Sequence, residues 1–285
     1  MTHTERMTDE YPGERSYRGP LRALVLDWAG TTVDYGSRAP AAAFVETFAQ
    51  HGVKISIEEA REPMGLAKRD HICAITEMPR VASKWRAAHG GPCTGEDIDE
   101  LYAAFLPRQL GCIERYSDVI PGVPETIERC RQRGLAIGSS TGYTAEIMEV
   151  VMARARTQGF SPDAMLCASD IAEGRPAPWL IFENARRLGV YPMAAIAKVD
   201  DTAPGIEAGI HAGTWTIGIA RTGNGVGLSE AELKGRSAAE RTELIEKARG
   251  RLRQARAHYV VDSFEEILPV LDEIDERLWA GEMPL

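Results

Sequence analysis

The stretch LRALVLDWAGTT, residues 21–32, decides the reading of this chain. Its first half is an unbroken apolar run of strand length, with no alternation between apolar and polar positions. That pattern is expected of a parallel strand covered on both faces. The run then delivers Asp27 and breaks in a Gly-Thr-Thr turn, so an acidic side chain is predicted at the carboxyl end of a buried strand.

Four further runs repeat the pattern: GLAIGSST (134–141), DAMLCAS (163–169), AAIAKVDD (194–201) and TWTIGIA (214–220). Helical patterns separate them, among them ETIERCRQRG, TAEIMEVVMARARTQG and PWLIFENARRLG, and two more helical stretches close the chain. Strands alternating with helices predict an α/β fold with a doubly wound, Rossmann-like parallel sheet. The interval 36–117 differs, because PAAAFVETFAQHG, SIEEAREPM, RVASKWRAAHG and a long helix opened by the Thr94-x-x-Asp97 cap make it all-helical. The expected organisation is an N-terminal arm (1–20), an α/β core (21–35 and 118–285) and a helical cap domain (36–117) set as a lid on the strand ends.

Composition narrows the function. With 33 basic against 42 acidic residues the net charge is −9, which gives no broad attraction to nucleic acid or anionic lipid. Cys73, Cys93, Cys112, Cys130 and Cys167 are widely spaced and odd in number, a pattern of reduced thiols in a cytoplasmic protein. No apolar window reaches the ~20 residues of a membrane span. A small-molecule enzyme is the expectation.

Ligands of open parallel sheets gather at the carboxyl ends of the strands, where strand order reverses. Asp27, the Ser139-Ser140-Thr141-Gly142 segment and the Asp200-Asp201-Thr202 segment all fall at such ends. The carboxylates can hold a hard dication, and the hydroxyls and backbone N–H groups can cradle a phosphoryl group.

LVLDWAGTT, IGSST and KVDD, in this order and with a helical insertion after the first, resemble the motifs of the haloacid dehalogenase superfamily of phosphotransferases. The resemblance implies Asp27 as nucleophile, Thr141 as the phosphate-binding hydroxyl and Arg175 as the basic residue beside it. It also implies a Mg²⁺ site built from Asp27, the backbone carbonyl of Ala29 and Asp201, with Asp200 a further candidate. Gly205 stands where many relatives carry an acid, which leaves the support of the metal open.

Ala29 departs from the superfamily pattern, in which a second Asp two residues after the nucleophile protonates the leaving oxygen. A methyl group donates no proton, so ester hydrolysis would lose a factor of ~10²–10⁴. Lys68, in the apolar setting of REPMGLAKRDHICAITEMPR (61–80), offers another route: an imine with a substrate aldehyde can accept the electrons of a breaking carbon–phosphorus bond. That route needs neutral amine, hence burial or neighbouring cations such as Arg69, to bring Lys68 down from its usual ~10.4. His71, on the same helical face, is a candidate proton shuttle, and Met64 and Tyr143 are candidate walls of the aldehyde pocket. Trp28 and Cys73 read as structural.

DWAGTTVDYG, EEAREPMGLAKRDH, TEMPR, GSSTGYT, GRPAPW, LGVYPM and KVDDTAPGI together resemble the phosphonatase family of that superfamily, from about residue 21 to the C-terminus. The resemblance implies carbon–phosphorus cleavage of phosphonoacetaldehyde in the degradation of 2-aminoethylphosphonate, with Lys68 as the imine-forming residue. It also implies a homodimer, for which Trp and Met side chains of the cap are candidate contacts. The alternatives are a phosphatase or phosphomutase of the same superfamily, or a non-catalytic phosphate-binding protein.

Overall fold

In a computed structural model describing residues 16–284, six parallel strands form one sheet. They are β1 (Ala23–Leu26), β2 (Ala136–Ser140), β3 (Ala164–Leu166), β4 (Ile196–Asp200), β5 (Trp215–Ile219) and β6 (Tyr259–Val261), in the spatial order β3-β2-β1-β4-β5-β6. Strand order reverses between β1 and β4, so a crevice opens above their carboxyl ends. Most of the proposed N-terminal arm, residues 1–15, lies outside the described residues.

The helices α1 (Arg38–Gln50), α2 (Ile57–Arg61), α3 (Lys68–Glu77), α4 (Pro79–His89) and α5 (Gly95–Ile113) all run between β1 and β2. Those of the sheet layers follow: α6 (Val123–Gln132), α7 (Ala145–Thr157), α8 (Trp179–Leu188), α9 (Ala203–His211), α10 (Glu230–Lys234), α11 (Ala238–Gln254) and α12 (Ile267–Ala280). Thr94 opens α5 with a capping box closed by Asp97, and Ser56 does the same for α2 with Glu59. Each box satisfies two amide donors that a helix start otherwise leaves unpaired.

Both faces of the central strand are covered, as its unbroken apolar run demands. Leu24 and Leu26 join Trp28, Ile137, Val199 and Ile217 in one core layer. Ala23 and Val25 face the other way, onto Ile181, Ala185 and Ala208. The insertion has a separate core in which Phe44, Phe48, Ile72, Trp85 and Phe105 are buried. Trp85 is therefore spent inside the insertion, and Met64 is buried too, which removes both as dimer contacts. Among the exposed large side chains, Trp179 and Phe182 lie together on α8, and Ile57 and Leu110 lie on the insertion.

Five of the six strands are those read from the sequence. Tyr259–Val261 differs from the helical tail that the sequence predicts, because a half-buried three-residue edge strand has too few positions to show a period.

Phe44 organises the insertion: its ring lies 4.3 Å from Phe105 and 4.0 Å from the imidazole of His71, centroid to centroid. Phe44→Ala is expected to cost ~3–5 kcal/mol of stability in denaturant titration. A cost below ~1 kcal/mol would show that the insertion packs without it.

Candidate active site

Asp27 follows β1 directly, and its N–H still donates to the carbonyl of Val199 at 2.9 Å, so the ladder holds the residue at the crevice. The neighbouring ends of β2 and β4 bring Ser140, Thr141, Asp200 and Asp201 alongside. Arg175 enters from the β3–α8 connection and joins these ends together. Its Nη2 donates to Asp27 Oδ1 at 2.7 Å, to the Ser140 carbonyl at 2.6 Å and to Ser140 Oγ at 3.0 Å. Its Nη1 lies 3.2 Å from Asp200 Oδ2, while its Nε is buried without an acceptor.

Asp27, Asp200 and Asp201 present oxygens that all lie within 4.8 Å of one another. Their bonding separates them. Asp200 accepts from the Thr202 amide (3.0 Å) and hydroxyl (2.7 Å) on Oδ1. On Oδ2 it meets the buried ammonium of Lys198 at 2.7 Å as well as Arg175. Burial opposes its ionisation, but those two cations outweigh it and hold the carboxyl below its usual range.

Asp201 forms no ion pair among the described residues and accepts from the Thr31 hydroxyl at 3.2 Å and the Asn224 backbone N–H at 2.7 Å. Burial, then the charges of Asp27 and Asp200, push it well above the ordinary carboxylate value. Asp27 is raised by burial and Asp200 in spite of Arg175 and Lys198. Positive charge is thus wanting beside Asp201 and Asp27, and the available donors are oxygen. A hard divalent cation fits that set.

The Asp200 carboxylate also explains Gly205. A Cβ built on Gly205 would stand 2.0 Å from the carboxyl carbon of Asp200. The acid missing from position 205 is therefore matched by a carboxylate that arrives in the same space from the end of β4.

The insertion closes over this floor. Gly65, at φ +103°, leaves so little room that a Cβ would meet Thr202 Oγ1 at 2.4 Å, and one on Gly142 would meet the Leu66 carbonyl at 2.8 Å. Only glycine serves at 65, where positive φ and close approach coincide. The docked segment carries Lys68 at the start of α3 into a cavity lined by Asp27, Ala29, Met64, Thr141, Tyr143 and Arg175. That cavity has about 20 Å³ of free volume, room for one water molecule.

Lys68 is 5% exposed, with its Nζ 5.1 Å from the centroid of the Tyr143 ring and 5.8 Å from that of Phe44. It makes no hydrogen bond or ion pair among the described residues. Burial brings it down to about 8, against the opposing charge of Asp27 and with a smaller contribution from Arg175. Arg69, expected from the sequence to assist, does not: it turns outward to Asp99 at 2.7 Å, because adjacent residues on a helix point in different directions.

His71 lies on the inner face with Lys68. Its Nε2 is 2.9 Å from the Ala60 carbonyl, which requires the proton on that nitrogen, and its Nδ1 is buried without a partner. Burial holds the ring neutral, well below its usual range. Thr141 Oγ1 accepts from the Tyr143 amide at 3.2 Å.

Three residues at or beside the site were not singled out from the sequence. Lys198 was legible in retrospect: a lysine in a buried parallel strand, two residues before Asp200, shares its side of the sheet. Ser37, buried at φ +47° and lining the cavity, and Asn224, which holds Asp201, come from loops with no distinguishing pattern.

A Rossmann-like sheet with a helical insertion after β1, and a carboxylate cluster at the reversal of strand order, define the class. A profile of the haloacid dehalogenase-like hydrolase family matches residues 21–213. The chain is 46% identical to the phosphonoacetaldehyde hydrolase of Paraburkholderia xenovorans, over 93% of its own length and 99% of that protein's. It is 45% identical to the one of Nitratidesulfovibrio vulgaris, over 95% and 96%. The crystal structure of a phosphonoacetaldehyde hydrolase-like protein from Oleispira antarctica superposes with a TM-score of 0.93 at 39% identity, covering 95% of this chain and 98% of that one. The chain belongs to the haloacid dehalogenase-like hydrolases and, within them, to the phosphonoacetaldehyde hydrolase family. It is an enzyme.

The Asp200–Gly205 contact makes a prediction about stability alone. Gly205→Ala is expected to destabilise the protein, although alanine is the better helix former by about 1 kcal/mol. In an Asp200→Gly background, which vacates the space, the same change is expected to be neutral or stabilising. Equal effects in the two backgrounds, measured by chemical denaturation, would show that the two positions do not compete for one volume.

Proposed function

We propose that this enzyme hydrolyses the carbon–phosphorus bond of phosphonoacetaldehyde to acetaldehyde and phosphate, through an imine on Lys68 and an aspartyl phosphate on Asp27. The observation that carries the reading is the amine of Lys68: buried, unpaired among the described residues and lowered to about 8, in one cavity with Asp27 and the methyl of Ala29. The names of the relatives support the substrate.

In this reading the phosphonate lies against Arg175 and the Thr141 hydroxyl, with the aldehyde toward Met64, Tyr143 and Lys68. Magnesium, held by Asp27, Asp201 and the backbone carbonyl of Ala29, with Asp200 beside them, would offset phosphonate charge and favour attack at phosphorus. The Lys68 amine adds to the aldehyde carbon, and loss of water gives a protonated imine. The Asp27 carboxylate then forms a bond to phosphorus. As the carbon–phosphorus bond breaks, its electron pair moves toward the iminium, leaving an enamine on Lys68 and phosphate on Asp27.

The leaving group is carbon, so no acid is needed to protonate an oxygen, and a methyl at position 29 suffices. The enamine takes a proton at its terminal carbon, and water hydrolyses the resulting imine to release acetaldehyde. A second water cleaves the aspartyl phosphate. The one water lost in forming the imine balances the first, so the net reaction consumes a single water.

His71, neutral and with Nδ1 free, is the proposed carrier of protons to and from the carbinolamine. Closure of the 36–117 cap domain over the 21–35 and 118–285 core would keep bulk water from the enamine. The motif resemblance supports a homodimer acting in the degradation of 2-aminoethylphosphonate, and the unpaired spacing of the cysteines supports a cytoplasmic setting.

Borohydride added with phosphonoacetaldehyde is expected to fix a reduced adduct on Lys68, located by peptide mass spectrometry. An active enzyme left unmodified there would end the imine reading. Lys68→Arg is expected to abolish acetaldehyde release with the fold intact by circular dichroism; retained release would show that carbon–phosphorus cleavage does not pass through Lys68.

The pH dependence has a definite sign. A lysine lowered to about 8 is protonated and non-nucleophilic below that value, with about a tenth of it neutral at pH 7. Trapping rates should therefore climb from pH 6 and level off above about 8. A rate independent of pH across that interval would contradict the assignment.

A further inference from the structure

Arg61 ends α2, and its guanidinium bridges the first residues of the insertion to a loop of the core. Nη1 donates to the carbonyls of Gly36 (2.9 Å) and Ser37 (3.2 Å) and to Asn224 Oδ1 (2.9 Å), and Nη2 donates to the Gly227 carbonyl (3.0 Å). No carboxylate lies within ion-pair distance of it among the described residues. The acceptors belong to two segments: the chain's entry into the insertion at 36–37, and the loop 222–228 after β5.

The loop is shaped to receive this side chain. Gly227 has φ +71°, and a Cβ there would stand 2.8 Å from Arg61 Cζ. Asn224 answers with its own donor, Nδ2 to the Arg61 carbonyl at 3.1 Å, so the two residues are bonded in both directions. A planar fork of donors in fixed geometry can address several carbonyls at once, which a lysine ammonium cannot reproduce.

The far side of the same loop bears on the carboxylate cluster. The Asn224 amide donates to Asp201 Oδ2 at 2.7 Å. A Cβ on Gly223 would lie 2.5 Å from the Cβ of Asp201. Thr222 closes the circuit, its hydroxyl bonding the Gly30 carbonyl at 2.7 Å and its carbonyl accepting from the Gly36 amide at 2.7 Å. Arg61, Asn224 and Asp201 are thus one continuous chain of contacts from the insertion to the carboxylate that has no cation of its own.

We infer that Arg61 is a positioning residue: through Asn224 it fixes the Asp201 carboxylate, so that the cation site takes its binding geometry when the segment carrying Lys68 is docked. Arg61 lies a few residues upstream of Met64 and Lys68, so one latch sets both halves of the reaction: the amine from above and the carboxylate from below. This rests on the proposed part of Asp201 in holding magnesium.

The test uses the full chain without substrate and reads the rise in melting temperature on addition of magnesium chloride. In Arg61→Ala the magnesium concentration giving half of that rise is expected to increase about tenfold, within the usual range of coupling between sites. Asn224→Ala is expected to do the same, and the double variant to be no worse than either single one, since both break the same link. Arg61→Lys should resemble Arg61→Ala.

A merely structural Arg61 would lower the magnesium-free melting temperature and leave the magnesium midpoint unchanged, which overturns the inference. Additive effects of the two substitutions overturn it as well. Should Arg61→Ala not fold, Asn224→Ala alone decides, because it leaves the insertion's own packing intact. A wild-type protein that magnesium does not stabilise overturns both the role of Asp201 and this coupling, whereas a normal wild-type response with unshifted variants overturns the coupling alone.

Discussion

The buried guanidinium of Arg175 is the interaction on which the rest of the site depends. It bonds Asp27 at the end of β1, Ser140 at the end of β2 and Asp200 at the end of β4, and so ties three strand ends across the reversal of strand order. Such an ion pair is costly to assemble, because both charges leave water, and removing one partner typically costs about 3–5 kcal/mol by stranding the other. Its value here is placement. Asp27, the end of β2 and the carboxylate cluster are held in one relation that no single strand could impose.

The charges around Arg175 are not balanced. Arg175 and Lys198 satisfy Asp200 and partly satisfy Asp27, but among the described residues Asp201 is hydrogen-bonded by neutral donors alone. A further cation could balance it, since the three carboxylates present oxygens within 4.8 Å of one another. Lys68 shows the complementary strategy. Its amine is pushed toward neutrality mainly by burial in the apolar roof of Phe44 and Tyr143, not by a crowd of cations. Floor and roof thus use opposite electrostatics: concentrated charge below and a charge-poor wall above.

Much of this was legible along the chain. The apolar run before Asp27, the recurrence of such runs with polar ends and the helical block at 36–117 predicted five of six strands and the edge of the sheet where the site lies. Ala29 and Lys68 could be read together because a missing acid and an apolar lysine are each visible as departures from expectation. Less legible were Arg69, whose charge suggested help that its direction on the helix rules out, and the short edge strand Tyr259–Val261. Asn224 and Ser37 had no signal, since loop residues acquire meaning from what they touch.

The sequence by itself determined five strands of the sheet, the placement of the polar strand ends and the pairing of Asp27 with a non-acidic position 29. These follow from local periodicity and from the chemistry of single side chains, both written along the chain. Tertiary structure alone decided that Asp200 is bonded by protein cations while Asp201 is not, that the Asp200 carboxylate fills the space beside Gly205, and that Lys68 is buried. Each of these depends on distances between segments far apart in sequence, and on how much water the packing leaves between them. Desolvation and close approach are properties of the folded surface, and no spacing of residues along a chain encodes them directly.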